Sequence, residues 1–296
     1  MDYQKILKQA IDLHVHIAPE IIPRKFTLQE LVVYETGKLK GVGVKNHFFP
    51  TVAMSRPSIQ TESPFVVNSV VLNHYVGGFN PYVIKASADL SEKSIIVWFP
   101  TLHTEKFLRN QEFEIPREWI DPIIGEGLKL RSTENIKALV IFDDDKKISK
   151  EVESVLLAIK ESGAILATGH LSWQESYELV KFAVNIIGIK KVIVTHPIYQ
   201  KIDMPLEIQK ELIKLDALIE HCYSMYSIDK IPIDKIAKQI KEIGASNCIL
   251  SSDVGQTYSK SPSESLTDFI SLLEKEGITE NEIKIMLINN PEKVLC

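Results

Sequence analysis

His14 and His16 stand one residue apart at the end of an apolar run, IDLHVH (11–16), in a chain with eight histidines among 296 residues. Residues i and i+2 of a strand share a face. The two imidazoles are therefore expected side by side, with Leu13 and Val15 turned the other way. A core strand gains little from imidazole, which needs a hydrogen-bond partner once buried. Two neutral imidazoles aimed at one point suit a divalent cation. An exposed or hydrogen-bonded pair needs none, and the H-x-H spacing alone does not separate the two. His170 and His196 close the runs AILATGH (164–170) and KVIVTHP (191–197), and Asp253 closes CILSSD (248–253). Taken singly, each has a plain reading: a hydrogen-bonded histidine, or an aspartate capping the next segment.

What gives the five residues a common meaning is the order of the elements that carry them. Eight apolar, β-branched runs read as strands: 11–16, 41–47, 65–74, 94–101, 164–170, 191–197, 217–222 and 248–253. Amphipathic helical patterns lie between the later ones, at 149–163, 172–188 and in PLEIQKELIKLD, PIDKIAKQIKEIG and SESLTDFISLLEKEG. Ser172 with Glu175 reads as a capping box, and Gly163 and Gly188 as helix ends. Earlier helices are expected at 27–40, and with a weaker pattern at 54–64 and 81–92. Strands alternating with helices imply parallel pairing. Eight units imply an α/β fold of the (β/α)8 TIM-barrel kind. A doubly wound open sheet is the competing arrangement, but no G-x-G-x-x-G follows any strand, so a dinucleotide site has no support.

A single barrel domain is expected over 1–296, with an insertion after strand four. Residues 103–148 are too long for an ordinary βα loop. Within them IKALVIF followed by DDDKKI reads as a small hairpin. Such an insertion would sit over the C-terminal face of the barrel as a lid. That face also collects the ends of strands one, five, six and eight, so His14, His16, His170, His196 and Asp253 would converge on one mouth as a shared metal site.

Composition narrows the partners. A formal net charge of −5 gives no basic footprint, so neither nucleic acid nor an anionic membrane is expected. No apolar run reaches the roughly 18–20 residues of a membrane span, and MDYQKILKQA lacks a signal-peptide core. Three widely spaced cysteines, Cys222, Cys248 and Cys296, indicate neither a disulfide framework nor a CxxC zinc site. A cytoplasmic protein is the expectation. Its partner would be a small-molecule substrate, and a homo-oligomer is left open.

H-x-H on strand one, His on five, His on six and Asp on eight resembles the ligand signature of the amidohydrolase superfamily. The likeness spans the whole barrel, through to the closing NNPEKVL (289–295), and KGVGVKNHFFPT and ILATGHLSWQES are similar to an amidohydrolase-like branch of it. The resemblance implies a hydrolase that uses a metal-activated water on an amide, lactone or related ester bond. Asp253 would then be both ligand and proton carrier. The metal would be one or two ions, zinc first, with Mn, Fe or Co also suited to an N/O ligand set. A mononuclear zinc decarboxylase and a non-catalytic metal- or ligand-binding barrel are the alternatives.

In one respect the sequence departs from the family pattern. Binuclear members commonly bridge two metals with a carboxylated lysine from strand four, yet that strand ends VWFPT here. Strand two offers Lys45, in phase with His47. Carbamylation would turn Lys45 into an anionic oxygen ligand. The other readings are a lysine that binds an anionic substrate and a solvated surface lysine. His47, His74, His103 and His221 also fall at or near predicted strand ends and are candidates for substrate binding.

Overall fold

Strands and helices alternate as the sequence predicts, and the strands pair in parallel to form a (β/α)8 barrel. The computed structural model describes residues 1–55, 64–109, 111–121, 123, 128 and 130–296. The strands are β1 (Ile11–His16), β2 (Gly41–Lys45), β3 (Phe65–Val67), β4 (Ser69–Val71) and β5 (Ile96–Trp98). They continue as β6 (Ile165–Ala167), β7 (Val192–Val194), β8 (Leu218–Cys222) and β9 (Cys248–Ser251). β1, β2 and β3 form one ladder, and β4 through β9 form another. The predicted strand 65–74 is thus two short strands broken at Asn68, one in each ladder. The chain beyond β9 returns to β1: Asp253 N donates to the His14 carbonyl and His16 N to that of Val254, both at 2.8 Å.

Nearly every strand is buried on both faces, as expected where helices cover a parallel sheet. The lower barrel interior is apolar, filled by Ile11, Leu13, Trp98, Ile165, Ile193 and Ile249. Val294 joins this cluster from the closing helix Asn290–Leu295, so the NNPEKVL segment plugs the barrel floor. Outside, the helices seat on the sheet through Val152, Val155 and Ile159, or Ile236 and Ile240, at the spacing of one helical face. The capping boxes at Thr27–Glu30 and Ser172–Glu175 form, each fixing where its helix begins.

β1 corrects the simple alternation. Its register with β2 slips between Asp12 and Val15, a β-bulge. Leu13 therefore lies in the interior cluster with Ile11, while His14 still reaches the interior against Trp98, with ring centroids 4.4 Å apart. Val15 does turn outward to the helices. Gly43 makes this feasible: a Cβ there would lie 2.5 Å from the Leu13 carbonyl oxygen. Bulges of this kind re-aim side chains beside active sites.

The helix expected at 27–40 runs over Leu28–Glu35, and that expected at 81–92 over Pro81–Asp89. Of the segment 54–64, residues 56–63 lie outside the described residues. So do 110, 122, 124–127 and 129 of the insertion. The rest of 103–148 is built from short pieces, including a helix Glu105–Leu108 and a turn of 3-10 helix at Arg117–Trp119. The predicted hairpin reduces to one antiparallel bridge, Phe142 with Ile148, around a tight turn at Lys146. IKALVIF has no ladder to join and forms no strand.

Candidate metal centre

At the C-terminal end of the barrel the apolar interior gives way to a buried polar cluster. His14 Nε2 and His16 Nε2 each lie 3.0 Å from Asp253 Oδ1, and His196 Nε2 lies 4.0 Å from Asp253 Oδ2. His170 completes the set, with its ring centroid 5.1 Å from that of His196. The backbone works to aim these groups. His196 and Asp253 both have positive φ, 21° and 51°, a conformation that costs a non-glycine residue of order 1 kcal/mol and is stored at functional sites. Gly169, at φ 62°, lets the chain pass the Phe99 carbonyl at a distance no Cβ could tolerate, which delivers His170 to the mouth.

The protonation pattern of the cluster calls for a cation. Glu220 in β8 places both carboxylate oxygens 3.2–3.3 Å from His14 Nδ1, so that nitrogen donates and Nε2 is left with its lone pair. That lone pair faces Asp253 Oδ1, an acceptor. Two acceptors at 3.0 Å are stable only with positive charge between or beside them, and Lys45 Nζ stands 3.0 Å from the same Nε2. Burial alone would push His14 down, but Asp253 and Glu220 outweigh it and hold it above the usual imidazole range, so that without a metal a proton on Nε2 takes the place that a cation would fill. Asp253, despite burial, is held well below the usual carboxylate range by His14 and His16. Burial lowers His170 and His196, the latter to about 4, so both are neutral ligands in waiting. Their Nδ1 atoms are buried without a hydrogen-bond partner. A mixed N/O set of this kind fits a divalent metal.

Lys45 is 1% exposed, lies over the Trp98 ring at 4.3 Å, and is pushed down by burial. It is inside the barrel, and the solvated reading is set aside. On the far side of His16, the Arg24 Nη2 lies 3.2 Å from His16 Nδ1 while its Nε donates to Glu20 Oε2 at 2.6 Å. Glu20 also accepts from the His47 backbone N–H. His16, Glu20 and His47 have the spacing of a second ligand group, but Arg24 already fills it with a cation.

His47 joins the mouth. His74, His103 and His221 do not. Alternation along β8 turns Glu220 and Cys222 inward and His221 outward, where both its nitrogens are unpaired. His74 is exposed and bonded to the Lys137 carbonyl. His103 is buried 3.3 Å from Glu114, which also takes Arg131. The groups that sequence reading missed are Glu220, Glu20, Arg24, Ser224 and Trp119. For Glu220 there was a signal, an acidic residue interrupting an apolar strand; for the others there was none. A cavity opens above the cluster, lined among others by His16, His47, His170, Tyr199, Asp229 and Trp119. Trp119 comes from the long insertion and stacks on His47, with centroids 5.8 Å apart.

Residues 9–220 match the sequence model of the Family of unknown function (DUF6282), and the chain belongs to that family. No curated protein matches it. Among solved structures, an amidohydrolase from Pseudomonas aeruginosa superposes with a TM-score of 0.65 at 10% identity, covering 100% of this chain and 98% of that one. A structure from the molecular engineering of organophosphate hydrolysis activity on a weak promiscuous lactonase template gives 0.50 at 13% identity, over 98% and 97%. At such identities the likeness is one of fold: the barrel is that of amidohydrolase structures. No helix among the described residues is long and apolar enough to cross a membrane.

Proposed function

We propose that the chain is a metal-dependent hydrolase acting on an amide, lactone or related ester bond of a small molecule. The observation that carries this reading is the His14–His16–Asp253 group, whose ligand atoms lie within 4.8 Å of one another. His170 and His196 stand beside it, each with an unpaired buried nitrogen. A divalent ion, zinc or one of similar preference, would be held by these five residues and would supply a water that ionises near neutral pH.

The chain's own groups account for the rest. Asp253, ionised by its surroundings, takes the proton of the attacking water and returns it to the leaving group. Ser224 Oγ donates to Asp253 Oδ2 at 2.6 Å and holds the carboxylate in line. The cavity suits a small molecule by its lining, in which aromatic rings of Trp119 and Tyr199 face the polar groups Arg24, Ser224 and Asp229. Trp119 and the insertion that carries it act as a partial lid, excluding water and strengthening charge interactions beneath. Lys45, as a carbamate, would add an anionic oxygen ligand; as an amine, it would meet an anionic part of the substrate. The three free cysteines, two of them buried, accord with a reducing compartment such as the cytoplasm.

The test is elemental analysis of protein purified without added metal, then stripped by chelator and reconstituted, alongside turnover of a panel of lactones and esters. One or two equivalents, with activity lost and regained, support the reading. Failure to bind any transition ion overturns it. In Lys45→Ala, loss of one of two equivalents marks the carbamate. Unchanged metal with a raised KM marks the substrate contact.

A further inference from the structure

A hydrogen-bond relay crosses the mouth from the end of β4, through the end of β5, to His47 beyond β2. Asn73 anchors it. Its Oδ1 accepts the backbone N–H groups of Thr101 and Leu102 at 3.0 and 3.2 Å. That fixes the orientation of the amide, so Nδ2 is the donor, to the His47 carbonyl at 3.1 Å and to Thr101 Oγ1 at 2.9 Å. Thr101 Oγ1, having accepted from Asn73, lies 2.9 Å from His47 Nδ1. Its hydroxyl proton has one acceptor within reach among the described residues, and that is Nδ1. The opposite arrangement, with Nδ1 donating, would strand the hydroxyl proton in a site where Asn73 and Thr101 are both 0% exposed.

The relay therefore sets the tautomer of His47. Nδ1 accepts, and the ring proton is on Nε2. No protein group among the described residues takes that Nε2–H, and the atom is not sealed away in the interior. Glu20, the nearest carboxylate in the group, is already used by Arg24 and by the His47 backbone. The ring itself cannot swing: His16 packs on one side, with centroids 4.7 Å apart, and Trp119 stacks at an interplanar angle of 14°.

From this we infer that His47 is a fixed Nε2–H donor to the substrate oxygen that gains negative charge as the acyl carbon is attacked. Asn73 and Thr101 are the positioning residues that lock it. The inference deepens the hydrolase reading and rests on it for the identity of that oxygen. The proton remains on Nε2 throughout; the imidazole polarises and releases, and no bond to His47 is made or broken. A donor held in advance, in a site partly closed by Trp119, stabilises developing charge without reorganising.

The test uses the full-length, metal-loaded protein. Long-range 1H–15N correlation spectra, with His47 assigned by its loss in His47→Phe, should show a bare Nδ1 and a protonated Nε2. Thr101→Val, close in shape, should shift His47 towards a mixture of tautomers while metal content and circular dichroism stay as in the wild type. Methylphosphonate serves as a probe with anionic tetrahedral oxygens. Its affinity should fall at least about tenfold in His47→Phe, the scale of one hydrogen bond to a charged group, and recover in part in His47→Gln, which keeps an N–H donor. A protonated Nδ1 in the wild type overturns the inference. So does equal methylphosphonate affinity in wild type and His47→Phe. Metal content measured on the same samples separates the two readings: a protein without metal sinks the hydrolase, whereas the tautomer and the affinity ratio judge His47.

Discussion

Two regions of this molecule bury histidine against carboxylate, and they end in opposite states. In the insertion, Glu114 accepts from Arg131 Nε and Nη2 at 3.1 and 2.9 Å and lies 3.3 Å from His103 Nε2. His103 Nδ1 in turn accepts the His74 backbone N–H at 3.1 Å. Arg131 also bonds Tyr75. The polar groups of this network that are buried find their partners within the protein. At the mouth, His170 and His196 keep unpaired nitrogens, and His14 presents a lone pair to Asp253. Burial is equally deep in both places, so burial does not mark the functional site. What marks it is unfilled binding capacity gathered from several strand ends at one point; His221, whose two nitrogens are also unpaired, sits apart on the outer face of β8. A satisfied network rigidifies; an unsatisfied one waits for a ligand.

Breaking the mouth should cost activity before stability. Asp253→Asn is expected to lower kcat by about 10²–10⁴-fold, the range for loss of a general acid–base, with the thermal midpoint little changed; kinetics on any ester or lactone turned over by the wild type checks it. Glu220→Gln replaces the charged carboxylate that holds His14 in its ligating tautomer with a neutral amide, which accepts more weakly and can also turn its NH2 to Nδ1. Metal affinity should fall about 10–100-fold, as for other partners of metal-bound histidine, measured by competition with a chromophoric chelator.

The insertion network should respond in the other sense. Glu114→Gln is expected to destabilise by about 1–3 kcal/mol with metal content unchanged, read by denaturant unfolding beside elemental analysis. It should also alter the response to acid. Burial would raise Glu114, but hydrogen bonds from His103, Arg131 and Tyr75 outweigh it and hold the carboxyl at about 2. A folded-state value below the unfolded one stabilises above the unfolded value near 4.5 and fades as pH falls towards about 2. That part of the acid slope should be missing in the Gln variant. If Glu114→Gln instead emptied the metal site, the division between the two regions would fail.

Much of the barrel was legible because its signals are local. Strand ends carrying His14, His16, His170, His196 and Asp253 follow from apolar runs and their order, and Ser172 with Glu175 announces a helix start within four residues. The breaks in legibility have local causes too. Asn68 divides one apolar run into two strands that serve different ladders, and the bulge at Leu13 reverses a facing that strict alternation predicts. IKALVIF pairs with no strand among the described residues; Ile141 and Phe142 pack into the core while Val140 is exposed.

The sequence by itself determined the class of fold, the parallel order of the strands and the residue types gathered at one end of the barrel, because periodicity and strand order are properties of neighbours along the chain. Only the tertiary structure decided which of eight histidines share a cation's space. His221 and Glu220 are adjacent in sequence and part ways across the sheet, whereas Glu220 and His14, 206 residues apart, meet. Tertiary structure decided as well that Arg24 closes one candidate ligand group, and that Asn73 and Thr101 dictate where the proton of His47 resides. Hydrogen bonds across the barrel mouth depend on ångström-scale closure of distant strands, and no spacing along the chain encodes that.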